Sequence, residues 1–183
     1  MRKIFVLAIL SIAIISCNRN GLENTHSIKE IKIEFKNKLF FIGPELDSAS
    51  AKIVADCDCC GSDLAFISDS TFLFASYCLE GDSYSKGKYL IQGKKLNLYF
   101  DSLTVSTIYP AEIEDSISTP IDSIVIERNK PHLSSMNVSL YKSKPLLTLK
   151  HPNGMEYGME SEQFSINEFL EIAKDKGVLE RIK

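Results

Sequence analysis

Four cysteines in the first half of the chain are the residues whose types and spacing are best suited to chemistry. They are Cys57, Cys59, Cys60 and Cys78. Outside the cytoplasm, cysteines normally form disulfides, which stabilise small secreted domains. Thiolates that converge on one point instead bind soft metal ions such as Cu(I) or Zn(II). The spacing therefore predicts either disulfide bonds or a metal site in this part of the chain.

The pairing of these cysteines stays open from the sequence alone. A bridge between the neighbours Cys59 and Cys60 requires a small, strained ring. One bridge from the group of three to Cys78, across adjacent strands, is geometrically easy but leaves two thiols free. Alternatively, Cys57 pairs with Cys60 while Cys59 pairs with Cys78. In a third arrangement, a turn at residues 59–61 directs three sulfur atoms to a common point, as a metal site requires.

The elements that must position these cysteines are short antiparallel strands. Apolar and polar residues alternate in brief segments that Gly, Ser, Asp and Asn turns separate, which is typical of an antiparallel barrel or sandwich. The predicted strands are residues 31–36, 39–42, 53–59, 64–67, 71–78, 87–91 and 96–100. Gly81-Asp82-Ser83 is predicted to begin a long polar loop. The fold class is therefore mainly β, an antiparallel meander forming a small barrel or sandwich.

A short β-rich part that ends in one amphipathic helix completes the predicted chain. Its strands are residues 124–126, 136–141 and 146–149. Ser165 and Glu168 have the spacing of a capping box, so a helix is expected to begin there. Gly177 is expected to end that helix in a left-handed conformation.

The N-terminus has the pattern of a secretory signal. Arg2 and Lys3 precede an apolar run, Ile4–Ile15, that is too short to span a bilayer. The following Ile14-Ile15-Ser16-Cys17 resembles the lipobox of bacterial lipoproteins. This resemblance implies that the signal is removed and that Cys17 receives a diacylglycerol and an N-acyl chain. Several acyl chains anchor a protein durably, so the expected location is the bacterial cell envelope, at a membrane.

The residue after the lipobox bears on the choice of membrane. In the lipoprotein family, an Asp at this position tends to mark retention in the inner membrane. The chain has Asn18 there. The resemblance therefore favours the outer membrane.

The predicted domain organisation follows from these segments. It comprises a signal peptide (1–16), the lipidated cysteine with a flexible tether (17–27), a barrel or sandwich domain with the cysteine cluster (28–109), an acidic Ser/Pro linker or loop (110–122), and strands plus the helix (123–183). Whether the last segment packs with the first domain stays open.

Composition and motifs narrow the function. The chain has 21 basic and 24 acidic residues, and no basic stripe, which argues against nucleic acid as a partner and against electrostatic adhesion to lipid. His26, His132 and His151 do not stand at metal-ligand spacing. The sequence has no nucleophile elbow, phosphate loop or His-Glu-x-x-His motif. We therefore expect a protein that is not an enzyme.

Residues 53–101 carry a further resemblance. Cys57-Asp58-Cys59-Cys60-Gly61 contains a Cys-x-x-Cys followed by Gly, the hairpin Leu64–Phe74 has Asp69 at its turn, and Gly87-Lys88-Tyr89 opens a strand. Together these features resemble the envelope-stress and copper-responsive lipoproteins of the NlpE kind. That resemblance implies a lipocalin-like small barrel, with Cys57 and Cys60 at the motif positions. The chain departs from the family pattern at Cys59 and Cys78.

Two functional hypotheses follow. In the first, the protein is a membrane-anchored binding or structural module without a cofactor, its cysteines are disulfide-bonded, and its partner is an envelope protein or a small ligand. In the second, the cluster of Cys57, Cys59, Cys60 and Cys78 binds copper or zinc, or responds to the redox state, as part of an envelope-stress sensor.

Overall fold

The computed structural model describes residues 33–110, 121, 123–152 and 154–182. Within these residues the secondary structure is mainly β, as predicted. In chain order the elements are β1 (Lys38–Gly43), β2 (Glu45–Asp47), β3 (Lys52–Val54), β4 (Gly61–Phe66), β5 (Thr71–Cys78), β6 (Gly81–Gln92), β7 (Lys95–Ile108), β8 (Ser123–Arg128), β9 (His132–Tyr141), β10 (Lys144–His151), β11 (Gly154–Glu160), α1 (Ile166–Asp175) and α2 (Val178–Arg181).

Eight strands close into an antiparallel β-barrel. Their order is β6–β5–β4–β1–β11–β10–β9–β7, and pairing between β6 and β7 closes the ring. The first half of β7 pairs with β9, and its second half pairs with β8. A separate hairpin is formed by β2 and β3. Of the two predicted architectures, the small barrel is therefore the one observed.

The last third of the chain belongs to this same barrel. β9, β10 and β11 lie between β7 and β1 in the ring, so that the strands after the predicted linker pack with those before it. The three strands predicted here are confirmed, and β11 is an additional one. Of the predicted linker, all but Pro110 and Ile121 lies outside the described residues.

Large side chains fill the barrel interior. Alternate residues of each strand point inward, as the period of two predicts. The buried members of this cluster are Phe35, Phe40, Ile42, Leu64, Phe66, Phe72, Tyr89, Leu96, Leu98, Phe100, Met136, Val138 and Leu147. The rings of Phe72 and Phe100 meet edge to face, with centroids 4.9 Å apart. The interior is thus a packed core.

The predicted first strand is wrong over its described part. Residues 33–36 are not a strand, because Asn37 takes a left-handed conformation (φ 58°) and turns the chain into β1. This turn places Phe35 against the rings of Phe40 and Phe66, where it is 2% exposed. An apolar residue that closes the end of a barrel satisfies the same alternating pattern as a strand residue.

The polar loop predicted at Gly81 is also wrong. A tight turn at Leu79 and Glu80 leads directly into β6, which begins at Gly81. The polar residue Asp82 misled the prediction, since it is buried beneath helix α1 and is not in contact with solvent. The pattern of a strand with one polar face was present, but the covering element was not evident from local sequence.

Both helices pack on the outer face of the barrel. The predicted capping box is confirmed, because Ser165 and Glu168 exchange side-chain to backbone hydrogen bonds at the start of α1. Gly177 has the expected left-handed conformation, with φ 68°. Phe169 and Ala173 bury the inner face of α1 against outward-pointing strand residues. This second core cluster includes Leu39, Ala65, Leu73, Ala75, Tyr84, Val105, Val178 and Ile182.

Candidate functional site

The cysteines lie in a turn between β3 and β4 and at the end of β5. We call residues Cys57–Cys60 the cysteine turn. The predicted strand over residues 53–59 is wrong at this point, because β3 ends at Val54 and the turn follows. Gly61 then begins β4. Cys57 and Cys59 are exposed, whereas Cys60 and Cys78 are partly buried.

All four cysteines of this site are paired. Disulfides join Cys57 to Cys60 and Cys59 to Cys78, with Cα–Cα distances of 5.6 Å and 4.2 Å. This is one of the arrangements that the sequence left open. Cys59 has a left-handed backbone conformation, with φ 61°. The resulting reversal of the chain lets the neighbours Cys59 and Cys60 bond in different directions, so that no strained ring between them is needed.

Asp58 connects the cysteine turn to the hairpin that joins β5 and β6. Its Oδ1 accepts a hydrogen bond from the backbone N–H of Leu79 at 2.9 Å. A carboxylate oxygen of Asp58 and the sulfur atoms of Cys59 and Cys78 all lie within 4.8 Å of one another. On the other bridge, the backbone N–H of Cys57 lies 3.1 Å from Sγ of Cys60. The two disulfides therefore have different electrostatic surroundings.

These contacts change the set of residues that could bind a metal ion. Metal ions bind thiolates, and a sulfur atom in a disulfide is not available as one. If the bridges are reduced, the group with suitable spacing is Asp58, Cys59 and Cys78, which offers two sulfur atoms and one oxygen atom to Zn(II) or Cu(I). The sequence instead favoured convergence of the three neighbouring cysteines. The donor set fits a metal ion only in the reduced protein.

The disulfide that closes the longer loop is expected to contribute more to stability. Replacing both Cys59 and Cys78 by Ser removes a bridge with a sequence separation of 19, against 3 for Cys57–Cys60. In the chain-entropy model these losses are about 3 and about 2 kcal/mol of unfolding free energy. Urea denaturation of the two double variants under non-oxidising conditions measures both losses. A greater loss for the Cys57/Cys60 variant would contradict the assignment.

A buried polar cluster beneath α1 was not anticipated from the sequence. At its centre is Asp82, which is 4% exposed, and we call this group the Asp82 cluster. Its Oδ2 accepts hydrogen bonds from Lys176 Nζ at 2.5 Å, from Tyr109 at 2.5 Å and from Tyr84 at 3.2 Å. Lys176 Nζ also lies 2.7 Å from the Tyr109 hydroxyl. The cluster attaches the end of α1 to β6.

The Asp82 cluster shifts the pKa values of its members. Burial lowers the pKa of the Lys176 ammonium, but its hydrogen bonds with Asp82 and Tyr109 outweigh burial and raise that pKa overall. Burial, together with the Asp82 carboxylate, raises the pKa of Tyr109 and of Tyr84. Lys176 is therefore held as the cation, and both phenols as neutral donors. This arrangement serves the attachment of α1; proton transfer at neutral pH would require the opposite shifts.

A second buried carboxyl group lies nearby on β4. Asp63 Oδ2 accepts a hydrogen bond from the Tyr77 hydroxyl at 2.7 Å. Burial raises the pKa of Asp63 to about 6, although the Tyr77 hydrogen bond acts in the other direction. Asp63, Tyr77, Asp82 and Tyr84 all occupy outward-facing strand positions near the helices, a placement that the local sequence did not reveal.

The shift at Asp63 predicts a pH dependence of stability. The folded state holds the proton more tightly than the unfolded state, so the contribution is complete below about pH 4 and is lost as pH rises through about 6. The loss amounts to about 3 kcal/mol of unfolding free energy. Asp63→Asn should remove this dependence, so that its stability relative to the parent rises by that amount between pH 4 and pH 7. Asp69→Asn, on an exposed turn, is the control and should leave the difference flat.

The described residues line two clefts on the outer surface, among others. One, of about 440 Å³, is lined by Lys86, Asp101 and Arg128 among others. The second, of about 120 Å³, lies between β3 and the strands near Phe41 and Met159. Of the four phenylalanines on the predicted strand faces, Phe66 and Phe72 are 0% exposed and Phe100 is 8% exposed, while Phe74 is partly buried against the same core.

The remaining candidate residues are dispersed. His132 stacks on the Phe100 ring with centroids 4.5 Å apart, and His151 Nε2 lies 3.1 Å from the Glu156 carboxylate. Cys17 and the whole predicted signal lie outside the described residues. Within the part of the chain that the structure describes, neither helix is long and apolar enough to cross a membrane.

The fold and the cysteine turn define the class of this protein. Over the residues that the structure describes, it is a small antiparallel β-barrel with two disulfides and with two short helices on its outer face. No protein-family model, no curated protein and no solved structure matches the chain.

Proposed function

We propose that the protein is a bacterial envelope lipoprotein, held at the outer membrane by acyl chains on Cys17, whose barrel is a non-enzymatic binding module. The support comes from the lipobox resemblance together with the pairing of four cysteines, since disulfides persist in oxidising compartments outside the cytoplasm. The barrel contributes a rigid scaffold. Because its interior is packed with side chains, the surface is where a partner binds.

The experiment that tests the anchor uses Cys17→Ser. Cells that express the full chain are labelled with a palmitate analogue and fractionated. We expect the parent protein to be labelled and to sediment with membranes, whereas the variant is unlabelled and retains its signal. Asn18→Asp is the matched control, which should keep the label and move the protein to the inner membrane. A parent protein that is unlabelled and freely soluble would contradict the proposal.

The cysteine turn supports a second candidate function, a redox-responsive or metal-binding sensor. Two observations favour it. The Cys57–Cys60 bridge lies in an exposed turn, and Asp58, Cys59 and Cys78 are grouped within 4.8 Å. Reduction would convert a turn held by disulfides into a set of thiolates that can bind soft metal ions. The protein would then report the redox state of the envelope, or its copper or zinc content, through this one segment.

Metal uptake and thiol count separate the two functions. We expect the reduced protein to bind one Zn(II) or Cu(I), and the oxidised protein to bind none. Cys78→Ser should abolish uptake by the reduced protein, whereas Cys57→Ser should weaken it less, because the Cys57 sulfur lies outside the group. If all four cysteines are oxidised in protein taken from the envelope, and the reduced protein takes up no metal ion, only the binding-module function would remain.

A further inference from the structure

The two disulfides of the cysteine turn differ in exposure and in their charged neighbours. We propose that Cys57 is the sulfur at which a dithiol protein of the same compartment exchanges disulfides with this chain, and that Leu79 is the apolar contact on which that partner docks. The proposal rests on the redox-responsive form of the second proposed function, and not on its metal-binding form. It adds the attacked atom, the leaving atom and the kind of partner.

The exposure of Cys57 favours cleavage of the Cys57–Cys60 bridge. Sγ of Cys60 lies 3.1 Å from the backbone N–H of Cys57, which favours negative charge on that sulfur, and 2.7 Å from the carbonyl oxygen of the same residue, which opposes it. Because these two contacts oppose each other, solvent exposure decides which sulfur is attacked, and the other sulfur leaves as the thiolate. Cys57 is the more exposed of the two, which suits it to be attacked.

The Cys59–Cys78 bridge has an acidic neighbour. Both of its sulfur atoms lie within 4.8 Å of an Asp58 carboxylate oxygen, and a thiolate formed there would be repelled by that charge. Among the described residues, no backbone N–H donates to either sulfur atom. This bridge is therefore expected to stay intact while the other exchanges, and to keep the turn in place.

The exchange balances as two successive displacements. A thiolate of the partner attacks Sγ of Cys57, the bond to Cys60 breaks, and Cys60 leaves with the electron pair as a thiolate. The partner's second thiol loses its proton to solvent and attacks the partner's first sulfur, which is bonded to Cys57 in the mixed disulfide. Cys57 then leaves as a thiolate and takes a proton from water. Two electrons have passed to the chain, and the partner dithiol has become a disulfide.

Leu79 marks where such a partner makes contact. It is 75% exposed, and no other large apolar side chain among the described residues is as exposed. The hydrogen bond from its N–H to Asp58 and the bond between Cys78 and Cys59 hold it beside the cysteine turn. An apolar side chain held in water next to a reactive bridge is suited to protein contact.

The charges around the turn define the partner further. Asp56, Asp58 and Glu80 are exposed, and residues 55–61 and 77–81 contain no Lys or Arg. A partner whose dithiol lies on an acidic surface would be repelled by these carboxylates. The partner that fits therefore presents its dithiol beside an apolar groove with a cationic rim.

The test uses the full-length protein purified in detergent and two synthetic dithiol peptides. Both contain Cys-Gly-Pro-Cys, flanked in one by Leu and Lys and in the other by Ser and Glu. Reactions are quenched with an alkylating agent and mapped by mass spectrometry. We expect the trapped mixed disulfide on Cys57, alkylation on Cys60 and an intact Cys59–Cys78 bridge. We also expect the Leu/Lys peptide to react at least fivefold faster per thiolate.

The docking contact is tested with Leu79→Ser, and Leu90→Ser is the control because Leu90 is an exposed residue of β6. Leu79→Ser should remove most of the advantage of the Leu/Lys peptide and leave the rate with 2-mercaptoethanol within twofold of the parent. Leu90→Ser should change neither. Adducts on any cysteine other than Cys57, or an unchanged peptide preference in Leu79→Ser, would overturn the inference while leaving a redox function standing. A folded protein whose bridges resist all three thiols would remove the redox function itself.

Discussion

Phe66→Ala is expected to lower the free energy of unfolding by about 3–5 kcal/mol, the range for an aromatic side chain deleted from a close-packed core. Phe66 is 0% exposed. Its ring lies 4.8 Å from those of Phe35 and Tyr89 and 5.6 Å from that of Phe40. These neighbours come from two separate parts of the chain, residues 35–40 and β6, so the cavity cannot close by movement of a single strand. Urea denaturation with the disulfides intact measures the loss.

An exposed aromatic residue on the same barrel provides the control for this prediction. Tyr99 is 45% exposed on the outer face of β7, and Tyr99→Ala should cost no more than about 1 kcal/mol. A loss below about 1.5 kcal/mol for Phe66→Ala would mean that the aromatic cluster is not the centre of the core.

Lys176→Met is expected to cost about 3 kcal/mol of unfolding free energy, at the lower end of the range for breaking a buried ion pair. The Asp82 side chain is only 5% exposed, so its charge would stay buried after the loss of Lys176. The Tyr84 and Tyr109 hydroxyls remain as donors and limit the penalty. The Lys176 side chain is 22% exposed, which places the expected loss at the lower end.

The control and the double variant isolate this contact. Lys174→Met changes an exposed lysine two residues earlier on α1 and should stay within about 0.5 kcal/mol of the parent. Asp82→Asn combined with Lys176→Met should cost clearly less than the sum of the single variants, because each removes the same pair. Additive losses would show that the two side chains do not interact.

These stabilising groups are separate from the cysteine turn. The core around Phe66 and the contact between α1 and β6 involve none of the four cysteines. The Cys57–Cys60 bridge joins residues with a sequence separation of only 3. Exchange at this bridge is therefore expected to leave the barrel folded, as the thiol experiments require.

The sequence predicted the parts of the fold that depend on near neighbours. Alternation of apolar residues identified most of the strands, and the Ser165/Glu168 spacing identified the helix start to the residue. It failed at Phe35 and Asp82, where the same local pattern has two structural outcomes. An apolar residue in an alternating segment fits a strand or a barrel end, and a polar residue after glycine fits a loop or a covered strand.

The site was predicted in its residues but not in its pairing. Four cysteines, their neighbours Asp58 and Gly61 and a bridge to Cys78 were evident from the spacing, whereas the left-handed conformation of Cys59 was not. The Asp82 cluster escaped prediction because Lys176 lies 94 residues from Asp82 along the chain.

The sequence by itself determined the mainly β class, the helix, the candidate cysteines and the resemblance of the N-terminus to a lipobox, because each is encoded within a few consecutive residues. Only the tertiary structure decided that the strands close into a barrel, which bridges form, and which carboxylates are buried. Those outcomes depend on which distant segments are in contact, and a local pattern of polar and apolar residues is compatible with several sets of such contacts.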